Sequence, residues 1–181
     1  MEEKIESNKY DKIIKLIMIA VISGILGFIY EIFFYKIDLG YFVKRGSTIG
    51  PWIPIYAIGG MLIYLLTNKY KSKPVLVFLA ICLITGILEF GTGYALYHLL
   101  NIRLWDYNVE ILNFGNIGGY ICLRSILFFG VSGMCLNYLI VPLIEKIKNL
   151  KQKKYINIIF IILGITFLVD SIYSGIRLIL K

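Results

Sequence analysis

Apolar residues in this chain fall into long uninterrupted runs, with polar residues confined to the short stretches between them. The runs cover approximately residues 13–34, 52–67, 74–100, 119–144 and 156–180. All but the second exceed the ~20 residues that a helix needs to cross ~30 Å of hydrocarbon. The pattern predicts an all-α integral membrane fold of five transmembrane helices, in a single transmembrane domain covering residues 1–181.

The second run is the exception, because it is short and has four residues that interrupt helices, Pro51 just before it and Pro54, Gly59 and Gly60 within it. A re-entrant segment is therefore the alternative. Five spans with the N-terminus inside place twelve of the 19 Lys and Arg residues on the cytoplasmic side. A re-entrant segment would instead put the lysines of residues 68–73 outside. The positive-inside rule favours five spans, N-terminus in and C-terminus out.

Composition agrees with a membrane protein, since 59% of the residues are hydrophobic and the mean hydropathy is +0.79. In a soluble protein the net charge of +8 would suggest nucleic acid. Here the lysines lie in short loops, so we expect a lipid bilayer and no nucleic acid as the partner. The first run is too long, and its leading segment too acidic, for a cleaved signal peptide. We expect a multi-pass protein of the cell membrane.

An internal repeat connects the first four spans. Residues 22–28 (ISGILGF) match residues 84–90 (ITGILEF), and residues 49–53 (IGPWI) resemble residues 117–121 (IGGYI). Both copies begin on the same side of the membrane, which predicts a parallel repeat of two helical hairpins, spans 1–2 and 3–4. The fifth helix is then an addition. A chance match between apolar sequences of low diversity is the alternative.

Four of the charged residues inside the apolar runs are candidates for a polar site: Glu31, Glu89, Arg124 and Asp170. Each costs at least ~2.5–3.5 kcal/mol in hydrocarbon. At a rise of ~1.5 Å per residue, Glu31 lies ~27 Å, Glu89 ~22 Å and Asp170 ~21 Å from the inner end of its span. Arg124 lies ~8 Å below the outer end of its own span. We therefore expect one polar site in the outer half of the bilayer. The alternative is structural pairing, of Asp170 with Arg177 or of Glu89 with Arg124.

The outer loops add candidates for the mouth of such a site. Residues 44–56 (KRGSTIGPWIPIY), 103–107 (RLWDY) and 113–119 (NFGNIGG) combine basic, aromatic and amide side chains with glycines. Interfacial Trp and Tyr are the alternative. No P-loop occurs, and Cys82, Cys122, Cys135 and His98 have no metal-ligand spacing, so we expect no metal and no cofactor. The predicted substrate-binding residues are Glu31, Arg45, Trp52, Tyr56, Glu89, Trp105, Asp106, Asn113, Arg124 and Asp170.

Over approximately residues 20–145 the chain resembles the CmpB-type family of ABC-transporter permeases, the type IV group. The resemblance is carried by Glu31, Glu89 and Asn113, and by the segments at 45–46 (RG), 50–56 (GPWIPIY), 105–107 (WDY) and 119–123 (GYICL). Ala57 and Phe129 depart from it, where glycine and tryptophan are common. The resemblance implies a membrane permease. Without a P-loop, any ATP hydrolysis requires a separate ATPase subunit.

Three functions follow from these observations. The leading one is a transporter subunit for a cationic, zwitterionic or proton-coupled small solute, acting with the ATPase or as a homodimer because five spans hardly enclose a full transport path. The second is an intramembrane enzyme acting on lipid or isoprenoid head groups at the outer leaflet, although no catalytic histidine pattern supports it. The third is a non-catalytic membrane assembly partner.

Overall fold

The computed structural model describes residues 2–147 and 150–180, and this part of the chain is helical without strands. Its helices are α1 (Glu2–Leu39), α2 (Pro54–Thr67), α3 (Pro74–Leu100), α4 (Leu123–Cys135), α5 (Val141–Ile147) and α6 (Lys153–Ile179). A 3₁₀ turn, Asn68–Tyr70, follows α2, and a π-helical segment, Leu136–Ile140, connects α4 to α5. The all-α prediction is confirmed.

Four stretches of the described chain are long and apolar enough to cross a membrane: Asp11–Leu39, Pro74–Leu100, Leu123–Ile147 and Lys153–Ile179. The fourth predicted span therefore begins at Leu123 rather than near residue 119. Helix α2 has 14 residues, which is about 21 Å of rise and less than the hydrocarbon thickness. The structure thus has four helices long enough to span a membrane, and the second predicted span, already short in the sequence, contains the 14-residue α2.

Helix α2 is short because the chain descends beside α1 before it becomes helical. The backbone N–H of Ile53 donates to the carbonyl of Gly24 at 3.1 Å. Gly24 lies 15 residues before Leu39, the end of α1, which corresponds to about 22 Å of helix. Residues 40–53, called the inserted segment below, therefore cover the outer part of the depth that a full-length helix would have covered.

Irregular backbone is tolerated at membrane depth only where protein groups satisfy it. Asp170 on α6 does this for the inserted segment, because its carboxylate accepts from the N–H groups of Ile49 at 2.9 Å and Gly50 at 2.8 Å. The indole of Trp52 donates to the same carboxylate at 2.7 Å and stacks on Phe167 with ring centres 5.1 Å apart. Helix α6 is thereby attached both to α1 and to the inserted segment.

Two helical hairpins form the body of the protein, α1 with α2 and α3 with α4, and α2 also packs against α3. Small residues permit close contact within the first hairpin, since a Cβ at Gly60 would lie 2.2 Å from the Ser23 hydroxyl. Toward the inner ends, an apolar cluster that includes Ile19, Val77 and Val141 closes the space between the hairpins. Toward the outer ends, a cavity lies between the hairpins.

The second hairpin has a similar descending connection. Ser125, in the first turn of α4, donates to Glu89 at 2.8 Å, and Glu89 lies 11 residues before Leu100, about 16 Å below the end of α3. Residues 101–122, called the outer loop below, thus reach into the space between the hairpins. Ile53 lies beside Gly24 and Ile121 beside Gly86, which are equivalent pairs in the proposed repeat. The repeat itself remains a prediction.

Candidate functional site

A cavity of about 340 Å³ lies between the two hairpins and beneath the outer loop. Four charged side chains line it toward its outer end: Glu31 from α1, Glu89 from α3, Arg124 from α4 and Glu110 from the outer loop. The remainder of its lining is largely apolar and aromatic. We call this space the charged cavity.

Glu89 is the most buried of these acids, with 5% of its surface exposed. One carboxylate oxygen accepts a hydrogen bond from the Tyr107 hydroxyl and the other accepts from Ser125 at 2.8 Å. Among the described residues no ion pair to Glu89 is found. Since hydroxyl groups compensate a buried carboxylate only in part, Glu89 favours a cationic or proton-donating group in the cavity.

Arg124 and Glu110 form a buried ion pair, with the guanidinium NH2 donating to Glu110 at 2.7 Å. The Tyr35 hydroxyl donates to the other oxygen of Glu110. The guanidinium carbon also lies 4.1 Å from the ring centre of Phe34, a cation–π distance. Arg124 Nε and NH1 are buried without a hydrogen-bond partner in the described chain. Such donors are costly to leave unpaired, so they favour an acceptor oxygen from a ligand.

A second acid–arginine contact stands on the α1 side of the cavity. Arg45 Nε lies 3.5 Å from Glu31, whose other oxygen accepts from the Tyr56 hydroxyl at 3.2 Å. Arg45 also donates to the Tyr35 hydroxyl at 2.9 Å. Tyr35 therefore connects Arg45 to Glu110, and the two acid–arginine pairs form one network.

The outer loop carries Glu110 into the cavity by an internal polar network. Asp106 pairs with Arg103 at 2.6 Å and accepts from the N–H of Asn108 at 3.0 Å. Although burial alone would raise it, these contacts hold the pKa of Asp106 below its usual value. The N–H of Ile111, next to Glu110, donates to Asp38 on α1 at 2.9 Å. The loop is thus fixed on both sides of its inward turn.

Tyr107 stands between Glu89 and Arg124. Its hydroxyl bonds to Glu89, and its ring centre lies 5.3 Å from the guanidinium carbon of Arg124. Burial, and after it the charge of Glu89, raise the pKa of Tyr107 far above its usual value, so the phenol stays neutral and acts as a donor. Tyr107 therefore contacts both Glu89, through its hydroxyl, and the Arg124 guanidinium, through its ring.

The structure brings half of the sequence-predicted set to the cavity wall: Glu31, Tyr56, Glu89, Trp105 and Arg124. Arg45 reaches the site through Glu31. The other four lie elsewhere. Trp52, in the inserted segment, donates to Asp170 on α6, while Asp106 and Asn113 make contacts within the outer loop. Asp170 thus departs from the expected convergence because α6 packs against α1 and turns this acid toward unpaired backbone.

Sequence reasoning missed four contributors: Tyr35, Tyr107, Glu110 and Ser125. Glu110 is the most important, because it forms the ion pair with Arg124. The sequence had suggested Glu89 as a possible partner of that arginine. An acid in a polar loop is ordinary, and nothing in the local sequence indicates that this loop descends. Tyr107 had a signal, since it belongs to the WDY block of the family resemblance.

The cavity chemistry is that of binding charged groups. Across the described residues, no group of three or more His, Cys, Asp and Glu side chains is placed to hold a metal ion. Glu89 can accept from an ammonium or carry a proton, and Arg124 can donate to a carboxylate or phosphate. The flanking tyrosine and serine hydroxyls would orient such groups.

Long apolar helices around a cavity with buried charges define a polytopic α-helical membrane protein. Within that class, the chain belongs to the family described as putative ABC-transporter type IV, whose sequence model matches residues 18–175. The resemblance drawn from Glu31, the GPWIPIY segment and the WDY block is therefore confirmed. No curated protein and no solved structure matches the chain.

Proposed function

We propose that this chain is the permease component of an ABC-type transporter, with the charged cavity as its solute site. The observation that carries the proposal is the meeting of Glu31, Glu89 and Glu110 with Arg45 and Arg124 around one cavity. Three acids against two arginines leave an excess of negative charge. That excess favours a cationic, zwitterionic or proton-coupled small solute.

The proposed topology places the N-terminus in the cytoplasm and the C-terminus outside, in the cell membrane. The inserted segment and α2 together then make one crossing, so that the chain crosses five times. In support, Lys15 pairs with Glu145 and Lys153 with Asp11 at one end of the bundle, where Lys71 also lies against Tyr138. The lysine-rich end is the end that the positive-inside rule assigns to the cytoplasm.

Energy coupling requires a second protein, because the chain contains no P-loop. An ATPase subunit would bind at the lysine-rich end, and a second copy of this chain is the further partner that we propose. A body of four long helices and one short helix is small for an alternating-access path. Either partner would complete it.

The test is solute-stimulated ATP hydrolysis by the complex purified from its native membrane. Cationic, zwitterionic and neutral solutes are added one at a time, and hydrolysis is measured for the wild type, Glu89→Gln and Glu31→Gln. Thr166→Ala is the control, because Thr166 is exposed on α6, bonds to the carbonyl of Ile162 in its own helix and does not line the cavity. We expect charged solutes to stimulate the wild type and the control, and not the cavity variants.

Two results would contradict the proposal. The first is a purified chain that brings no ATP-hydrolysing subunit with it. The second is stimulation that survives both cavity substitutions unchanged while the variants assemble normally in the membrane.

A further inference from the structure

The charged cavity is amphipathic along its length. Its outer part holds the acids and Arg124, as described above. Its inner part lies between α2 and the π-helical segment and is lined by Gly59, Ile63, Leu136 and Ile140. A small hydrophilic solute would leave most of this inner part unused, because its lining is mainly apolar and the Ser23 hydroxyl beside Gly60 is one of its few polar groups.

The cavity also reaches the membrane-facing surface between α1 and α4. Outward of this opening, Tyr30 and Phe128 stack with ring centres 3.7 Å apart. Inward of it, Lys15 on α1 pairs with Glu145 on α5. These contacts are 15 residues apart along α1, about 22 Å of helix. Between them the cavity is lined by three side chains that are themselves exposed: Leu26, Val131 and Cys135.

The head of a ligand would meet two complementary groups. Glu89 is buried with hydroxyl partners only, and Arg124 has two buried donors without partners in the described chain. Both stand against Tyr107. An ammonium at Glu89 and an anionic oxygen at Arg124 would satisfy both groups at once, which a purely cationic or purely anionic head cannot do.

We propose that the ligand of the charged cavity is a zwitterionic amphiphile that enters from the bilayer between α1 and α4. Its ammonium binds Glu89, its anionic oxygen binds Arg124, and its hydrocarbon chain lies along Gly59, Leu136 and Ile140. This inference rests on the proposed function and names the substrate class of the same site. The lateral opening supplies the route, since a chain held in lipid reaches the cavity without crossing water.

Cys135 provides a built-in reporter for the test, because it is exposed and lines the opening, whereas Cys122 is buried. The full chain in dodecyl maltoside is treated with N-ethylmaleimide, and modification of Cys135 is followed by peptide mass spectrometry. Three probes are compared: palmitoyl-lysophosphatidylethanolamine, palmitoyl-lysophosphatidylglycerol and free phosphoethanolamine. At ten times its Kd, the first probe should slow Cys135 modification about tenfold by occupancy. The other two should protect little.

Matched variants separate the head contact from the chain contact. Glu89→Gln should weaken protection by the zwitterionic probe at least about tenfold, because a charge-assisted hydrogen bond is lost. Thr166→Ala, exposed on α6 and outside the cavity lining, should leave it unchanged. Gly59→Val fills the inner cavity, where a Cβ has only an ordinary contact at 3.5 Å, and should also weaken protection. Gly86→Val has the same 3.5 Å clearance but lies outside the cavity lining, and should not.

Three results would overturn the inference. Equal protection by phosphoethanolamine would show that the chain is not recognised, and equal protection by the anionic lipid would show that Glu89 does not select an ammonium. A dimeric chain whose Cys135 is unreactive without any probe would show that a second copy covers the opening.

The experiments distinguish failure of the amphiphile inference from failure of the proposed transporter function. If ATP hydrolysis is stimulated by solutes and depends on Glu89, but the zwitterionic lipid gives no protection, the amphiphilic ligand is wrong and the transporter function stands. If the zwitterionic lipid protects Cys135 in a way that depends on Glu89, but the chain has no ATP-hydrolysing partner, the amphiphile site stands and the transporter function is wrong.

Discussion

The carboxylate of Asp170 accepts a hydrogen bond of 2.7 Å from the indole N–H of Trp52, which joins the last helix to the inserted segment. Together with the N–H groups of Ile49 and Gly50, this gives Asp170 three donors outside its own helix. An acid that first suggests a solute site therefore stabilises the irregular backbone that makes α2 short. Its position in hydrocarbon is explained without a ligand.

Replacing Asp170 by Ala should destabilise the protein by about 1–3 kcal/mol, because two backbone donors and the Trp52 indole lose a charged acceptor together. The free energy of unfolding in detergent measures this. Thr166→Ala is the control on the same helix, since the Thr166 hydroxyl bonds only to the carbonyl of Ile162 one turn earlier. Asp170→Ala with wild-type stability would contradict the assigned role.

Gly27 is a contact point between α1 and α2, and Gly27→Ala should separate these helices. A Cβ there would lie 2.2 Å from the Tyr56 ring, whose hydroxyl bonds to Glu31. We expect a loss of about 1–3 kcal/mol from overpacking. Gly91→Ala, which has open space in its helix, should be neutral or slightly stabilising. Thermal unfolding of both variants tests the difference, and equal melting temperatures would argue against the close contact.

Gly119→Ala should disturb the outer loop that carries Glu110. Gly119 has φ +80°, and a Cβ on it would lie 2.4 Å from Asp106 and 2.5 Å from Asn108. We expect faster amide hydrogen exchange across residues 103–122. Gly40→Ala is the control that separates backbone strain from steric collision. Gly40 has a similar positive φ of +84°, but no atom lies near the position of its Cβ. If both variants exchange alike in the outer loop, collision with Asp106 is not the cause.

The outer loop should also loosen in acid. The pKa of Asp106 is lowered in the folded protein, so its contribution is complete above the unfolded value of ~3.9 and is lost as pH falls through the folded value. Hydrogen exchange of residues 103–108, corrected for intrinsic rates, should therefore accelerate below about pH 4. Asp106→Asn should already exchange faster at neutral pH and lose this acid dependence. An identical pH profile in the variant would exclude Asp106 as the titrating group.

Sequence reasoning located the helices well and the site in part. The apolar runs identified α1, α3 and α6 because length and hydropathy suffice to recognise a long membrane helix. Hydropathy also marked residues 52–67, but it could not show that α2 begins at the depth of Gly24. That depth depends on Asp170, the hydrogen-bond acceptor on α6, which is 118 residues away from its donor Trp52 in the sequence.

The sequence by itself determined the class of the protein and the cost of its buried charges. Apolar runs of this length can only be helices in a bilayer, because each backbone group must be bonded within its own segment. It also determined family membership, through the GPWIPIY and WDY segments. Glu31, Glu89 and Arg124 were recognisable for the same energetic reason, since charge in hydrocarbon demands compensation.

Only the tertiary structure decided which charges share a site. Glu110 enters the cavity and Asp170 is directed away from it, although their sequence contexts suggest the opposite. The reason is that hydrophobicity records how deep a residue lies, whereas partner choice depends on the path of the connecting backbone. That path is set by contacts between distant segments, such as Ile111 with Asp38 and Ile49 with Asp170.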